Sequence, residues 1–363
     1  MLKLLYGSDF CLGAPSPHSS SFTDALNQDR LKAFERFVRC ALERQVDLIL
    51  IAGNLFASPA PDLHWVEPVR AAIRRLQDQR IVVRILPGIC DPLRPKESLY
   101  RDPFFSPLIA GNEADRLSPG CLRVGSHSVF LYTFPWMAGG QSPLCHQLKR
   151  SCQDGVHLGL VASADAANDS SGGLPRPWLS HVQRWALDYV VFGGRHKWRQ
   201  TDERGRLCCG CAGLPQVESF SGPQQGCCHS LELNGQQVRL DEVPLPGATF
   251  TSCTLNLEGA SDVREMLGPI LNQENYLSCV LTGSVDRPFE LEMLTRELRG
   301  RCRGVEWSDQ TLLGSSQVVV ELEKQDTVLG VTLQAWRQKD FPEDVREAIL
   351  RELLARFGAF ERE

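Results

Sequence analysis

The chain has 363 residues, of which 42% are apolar, and a formal net charge of -5. That size and apolar share suit a globular protein with two domains and an appendage, and they exclude a disordered or fibrous chain. The acidic balance gives no overall attraction to nucleic acid, so any DNA contact has to come from a local basic patch.

Along the chain, Leu2 to Tyr6 reads as a short buried strand, and Asp29 to Gln45 has helical spacing with Leu31, Phe34, Val38 and Leu42 on one face. A strand over 47–52 runs into Gly53, a helix over about 65–79 follows, and a strand over 81–86 leads into the turn Pro87-Gly88. Strands alternating with helices imply βαβ units, and continuous apolar runs imply a sheet covered on both faces. From about Ser126 the strands shorten, to 129–132, 156–161, 189–192 and 230–233, with a surface loop over Asp165 to Pro175.

A boundary falls near Pro244 to Gly247, followed by a strand (250–257), a helix (260–272) and a strand (276–283), the outline of a small α/β unit. The tail opens a helix at Phe341-Pro342-Glu343-Asp344, with Pro in the first turn and acids at the positive dipole end. Its apolar stripe, Val345, Ile349, Leu350, Leu353, Leu354 and Phe357, reads either as core packing or as a partner-docking face. Met1 to Tyr6 is too short for a secretory h-region, and no run of about 18 apolar residues exists, so a cytoplasmic protein without a membrane contact is expected. The fourteen cysteines then read as reduced thiols rather than a disulfide framework.

Five short segments stand where strands give way to loops, the place where open α/β sheets bind ligands. They are Gly7 to Gly13 (GSDFCLG), Ile51 to Phe56 (IAGNLF), Pro87 to Asp91 (PGICD), Leu160 to Ala164 (LVASA) and Phe192 to Lys197 (FGGRHK). In order and surroundings they resemble the calcineurin-like metallophosphoesterases of the SbcD and YhaO type, which show SDxHLG, AGDLF, PGNHD, a strand ending in His, and GHxHK. The resemblance covers roughly residues 1 to 240. It implies an α/β fold, a metallophosphoesterase β-sandwich flanked by helices over 1–245, a small α/β cap domain over 247–325 and a C-terminal helical segment over 326–363.

The family chemistry uses two divalent cations about 3.5–4 Å apart to polarise a phosphoryl oxygen and generate a hydroxide. Carried over by position, the first ion falls to Asp9, Cys11, Asn54 and His196. The second falls to Asn54 as bridge, Ile89, Ala162 or Ser163, and Gly194. Ile89, Ala162 and Gly194 offer no side-chain ligand. Two such ions repel by on the order of 15–20 kcal/mol at an effective dielectric of 20, which an anionic Asp offsets and the neutral Asn54 does not. The family's catalytic His falls at Cys90, a poor substitute for an imidazole with its thiol pKa of about 8.5; Asp91, which in the family orients that His, has only Cys90 beside it.

The expectation is therefore a catalytically degenerate nuclease subunit: a scaffold or DNA-end-binding component working with an SMC-like ATPase, itself able to form a homodimer. Its vestigial first site would hold no metal or a single zinc or manganese ion. The alternative is an active phosphoesterase or exonuclease with an atypical metal centre. Arg195, Lys197 and Arg199, joined by Arg204, Arg206 and Trp198, form the basic and aromatic concentration nearest the site, either a solvated loop or a phosphate-backbone contact. Cys208-Cys209-Gly210-Cys211 with Cys227-Cys228-His229 superficially resembles a zinc site, but adjacent cysteines on a strand point to opposite faces, which favours buried strands.

Overall fold

The computed structural model describes residues 1–110, 119–134, 148–162, 176–221, 225–235, 237–257, 263–283, 285, 290–311, 317–342, 345–346, 348–350 and 352–354. Two compact units form, Met1–Glu218 with Pro223–Gly247, and Ser219–Gly222 with Ala248–Glu363.

In chain order the first unit contains β1 (Leu2–Gly7), α1 (Thr23–Glu43), β2 (Leu48–Ala52), α2 (Leu63–Asp78), β3 (Val82–Leu86), β4 (Gly120–Val124), β5 (His127–Phe134) and β6 (Val156–Val161). It continues with α3 (Arg176–Trp185), β7 (Tyr189–Phe192), β8 (Lys197–Thr201), β9 (Leu207–Ala212), β10 (Gly226–Asn234) and β11 (Gln237–Leu245). Two sheets result, ordered β11-β10-β1-β2-β3 and β4-β5-β6-β7-β9-β8. Because side chains alternate along a strand, Leu4, Tyr6 and Leu50 point into an inner core shared with Leu131, Leu160 and Val191 of the other sheet. Leu5, Ile49 and Ile51 point the other way, onto Phe34, Phe37, Val69 and Ile73 of α1 and α2. The far face of the second sheet is closed by Trp178 and Trp185 over Phe130 and Phe192. This is the helix-flanked α/β sandwich that the motif resemblance implies, with its first sheet covered on both faces as the apolar runs imply.

The first helix starts at Thr23, six residues earlier than its apolar period suggests. The polar first turns are used locally: Asn27 accepts from Gly13 N at 2.9 Å and donates to Ala14 O at 2.8 Å, which ties α1 to the loop after β1. Periodicity cannot reveal such a turn because its contacts are hydrogen bonds rather than apolar packing.

The second unit contains β12 (Thr249–Asn256), α4 (Val263–Leu267), β13 (Asn275–Thr282), α5 (Leu291–Glu297), β14 (Gly304–Asp309), α6 (Gln317–Glu323) and α7 (Val328–Gln338). Its three strands run parallel in chain order. The helix expected over 260–272 is shorter, since Gly268 and Pro269 convert its end to a 3-10 turn.

Leu350 is fully buried and Leu354 nearly so, in one core with Leu277, Leu281 and Leu333. Val345 is 41% exposed, and with Ile349 and Leu353 it lines a cavity of about 490 Å³. The tail stripe is therefore divided: Leu350 and Leu354 belong to the core, and Val345 faces outward. Glu343, Asp344, Phe357 and the loop 165–175 lie outside the described residues. Leu350→Asp buries a carboxylate without a partner and is expected to destabilise the second unit by more than ~3 kcal/mol, read by urea denaturation.

Candidate functional site

The loops that follow β1, β2, β3 and β7 meet at one end of the sandwich, beside Ala162 at the end of β6. Asp9 N donates to Gly53 O at 3.1 Å, Cys11 N to Asn54 O at 2.9 Å and Leu12 N to Leu55 O at 3.1 Å, so the first two loops run side by side as a backbone ladder. Asp9, Cys11 and Asn54 each have positive φ, of 56°, 48° and 51°. Non-glycine residues occupy that region only where the surroundings enforce it, and such positions cluster at functional sites. Three glycines hold the loops close. A Cβ at Gly193 would sit 1.9 Å from Ala52 O, one at Gly88 2.2 Å from Asn54 Oδ1, and one at Gly53 3.3 Å from the Ala162 methyl.

Asn54 links this floor together. Its Nδ2 donates to Asp9 Oδ1 at 2.8 Å, while its Oδ1 accepts from Cys90 N at 3.0 Å. The orientation follows from chemistry: the Cys90 amide can only donate, so the carbonyl faces it and the NH2 faces the carboxylate. Asp91, 1% exposed, accepts from Asn54 N at 3.2 Å, Phe56 N at 3.0 Å, Gly88 N at 2.7 Å and the Tyr100 hydroxyl at 2.5 Å. It acts as a buried strut for two loops.

Burial pushes the Asp9 carboxyl above its ordinary range, against the opposing pull of the Asn54 and Ser8 hydrogen bonds and of Arg195. Burial likewise raises Asp91 despite its donors. The Cys11 thiol is raised strongly, by burial and then by Asp9, Glu218 and Cys90. Cys90 is raised by burial and by the two carboxylates, Asp91 and Asp9. Both thiols are held protonated, the form that is a poor nucleophile.

The other positions are placed as follows. Ile89 is 42% exposed, and Ala162 packs against Gly53. Gly194 offers a backbone amide to Ser8 Oγ at 3.1 Å. His196 is exposed, one residue before β8. Ser163 lies outside the described residues. Among the described residues, no three His, Cys, Asp or Glu side chains are gathered so as to hold a metal ion. The two-ion centre that the motif resemblance implies does not fit this donor set as arranged: at the bridging position the amide NH2, which has no lone pair to give, faces Asp9.

Arg195, Lys197 and Arg199 are all exposed, and the first two are paired with acids. Lys197, Trp198 and Arg199 lie in edge strand β8, with Trp198 6% exposed and packed on Phe192. Lys197 pairs with Glu242 at 2.6 Å, and Arg195 with Glu218 at 3.2 Å. The cysteine clusters are strand interiors on opposite sides of the sandwich: Cys209 and Cys211 pack with the tryptophans, and Cys228 packs on the α1 side. His229 Nδ1 lies 2.8 Å from the Tyr6 hydroxyl in the inner core.

No protein-family model matches the sequence. Over 81 residues the chain is 37% identical to the DNA double-strand break repair protein Mre11 of Haloferax volcanii, a match spanning 22% of this chain and 18% of that protein. Among solved structures, the crystal structure of TT1561 of Thermus thermophilus aligns with 68% of this chain and 99% of its own, at 12% identity and a TM-score of 0.41. Another aligns with 66% of this chain and 98% of its own, at 11% identity and a TM-score of 0.39.

Sequence reading missed Glu218, which is 4% exposed and receives Arg30 Nε at 2.6 Å. Arg30 also donates to Ala14 O at 2.6 Å and to Asn27 Oδ1 at 2.9 Å, so this buried pair clamps the loop after β1 from behind. Arg30, 2% exposed on the inner face of α1, carried the available signal: a cation placed among apolar positions requires an acid. Tyr100, the fourth donor to Asp91, had no motif to mark it.

Asp91→Ala leaves those donors without an acceptor and is expected to cost at least ~3 kcal/mol, measured by chemical denaturation. For Asp9 the sign runs the other way. A carboxyl whose folded pKa is raised favours folding below its unfolded pKa, and that contribution is lost as pH rises through the folded value. Asp9→Asn, which keeps an acceptor for Asn54, is therefore expected to be more stable than the parent near about pH 7, with the gain shrinking toward about pH 4. Paired urea titrations check this, and an equal gain at both values would contradict it.

Proposed function

We propose that this chain is a catalytically degenerate relative of the calcineurin-like metallophosphoesterases of the SbcD type, acting as a structural subunit in DNA-end processing together with an SMC-like ATPase. The observation that carries the reading is the Asn54 amide, which hydrogen-bonds Asp9 across the position where the family places a bridging carboxylate. Further support comes from the motif order, from the 81-residue likeness to an Mre11 protein, and from Ile89, Cys90 and Gly194 at positions where the family has ligands and an acid catalyst. Hydrogen bonds of the Asn54 and Asp91 side chains hold the loops in shape.

Between a scaffold and a DNA-end-binding role, the pairing of Arg195 and Lys197 with Glu218 and Glu242 supports the scaffold, because paired cations release few phosphate counterions. The outward part of the tail stripe, Val345 and Ile349, is the candidate contact for an ATPase. Disruption of that contact is better tested at these positions than at the buried Leu350.

The test uses the purified full chain, loaded with manganese or zinc and analysed for bound metal, thermal stability and cleavage of DNA. No change in Tm and no metal-dependent cleavage are expected for the parent. Asn54→Asp brings a second carboxylate to hydrogen-bond distance of Asp9; it is expected to lower stability by about 2 kcal/mol in chelator and to recover part of that loss with manganese. Two bound ions and manganese-dependent cleavage by the parent, lost in Asp9→Ala, would sink the degenerate reading in favour of an active phosphoesterase.

A further inference from the structure

The second unit carries a pair of thiols that the site at the first unit does not use. Cys253 on β12 and Cys279 on β13 are direct partners in the parallel register, and their Sγ atoms are 3.3 Å apart. Both belong to the sheet face that packs on the helices, with Cys279 fully buried and Cys253 half-buried on an edge strand. Neighbouring strands lie about 4.8 Å apart, inside the Cα range of roughly 4.4–6.8 Å that a disulfide spans. Closing the thiol gap to a bond of about 2.05 Å needs side-chain rotation and no change of register.

We propose that Cys253 and Cys279 are a reversible oxidation site, at which hydrogen peroxide joins the two thiols as a disulfide across β12 and β13. Cys253, reachable at the sheet edge, meets the oxidant first: its sulfur attacks one peroxide oxygen, the O–O bond breaks, and water leaves a sulfenic acid. Cys279 then attacks that sulfur, releasing its proton and displacing the hydroxyl as a second water. Two thiols and one peroxide become one disulfide and two waters. Full burial shields Cys279 from direct contact with the oxidant, while fixed proximity makes it an effective partner once Cys253 has reacted. A bond at the half-buried edge strand is open to reduction by a dithiol.

Cys302 is the competing thiol; its Sγ donates to Leu298 O at 3.7 Å. Cys90, Cys121 and Cys152, all exposed, serve as internal controls. The full chain is reduced, titrated with hydrogen peroxide, alkylated and mapped by mass spectrometry without reduction. Expected are loss of both thiols at 253 and 279, gain of the linked peptide before the three control cysteines are oxidised, and its loss on treatment with dithiothreitol. In Cys279→Ala, dimedone is expected to capture Cys253 as the sulfenic acid, whereas in Cys253→Ser the thiol at 279 is expected to survive. A Cys279–Cys302 link, or oxidation of the controls with 253 and 279 still reduced, overturns the proposal. The mapping of the unsubstituted chain stands even where a variant fails to fold.

Discussion

The geometry of the site depends on a single side-chain amide. Asn54 receives the Cys90 amide proton on one side and gives a proton to Asp9 on the other, so the loops after β1, β2 and β3 are tied through one planar group. An ionised carboxylate at that position would accept from Cys90 but repel Asp9, and it would need a cation to hold the same shape. The amide supplies donor and acceptor together and leaves the buried Asp9 with a partner. Burial still raises Asp9, so the floor of the site stores some electrostatic cost even with that bond in place.

Around this amide the site is framed by groups committed to hydrogen bonds and ion pairs. Asp91 is saturated by backbone amides and Tyr100, and the Arg30–Glu218 pair holds the loop after β1 through Ala14 and Asn27. Buried carboxylates of this kind are costly unless fully satisfied, and here each one has its donors. Glu218 also captures Arg195, so a cation that acts on Asp9 is partly committed elsewhere. Charge that reads as a basic patch along the sequence becomes a set of local ion pairs once Glu218 and Glu242 arrive from distant parts of the chain.

The fold was legible wherever its cause was local. The apolar runs of β1 and β2 and the period of α2 are signals that a strand or helix must carry, and the five strand-to-loop junctions sat where the glycines and small residues of the sequence placed them. Less was legible at α1, whose first turns are held by Asn27, and in β8, whose alternation of Trp198 with Lys197 and Arg199 is hidden by its charge. In the site, Asp9, Asn54 and Asp91 came from the resemblance of their segments to the family motifs, and their hydrogen-bonded arrangement is part of what the structure adds. Glu218, Tyr100 and the divided tail helix were not legible, because each depends on a contact between segments far apart in sequence, and composition carries no record of such pairings.

The backbone ladder between the first two loops has a consequence for how this site can change over evolutionary time. Asp9, Cys11 and Leu12 are held by main-chain bonds to Gly53, Asn54 and Leu55, and the close approach at Gly193 is likewise to a main-chain oxygen. The course of the first two loops therefore rests on main-chain bonds as well as on the side-chain ties of Asn54 and Asp91, and the glycines tolerate almost nothing. In such a scaffold a main-chain cradle keeps its outline at positions whose side chains take no part in the ties, and change at the glycines is the costlier kind.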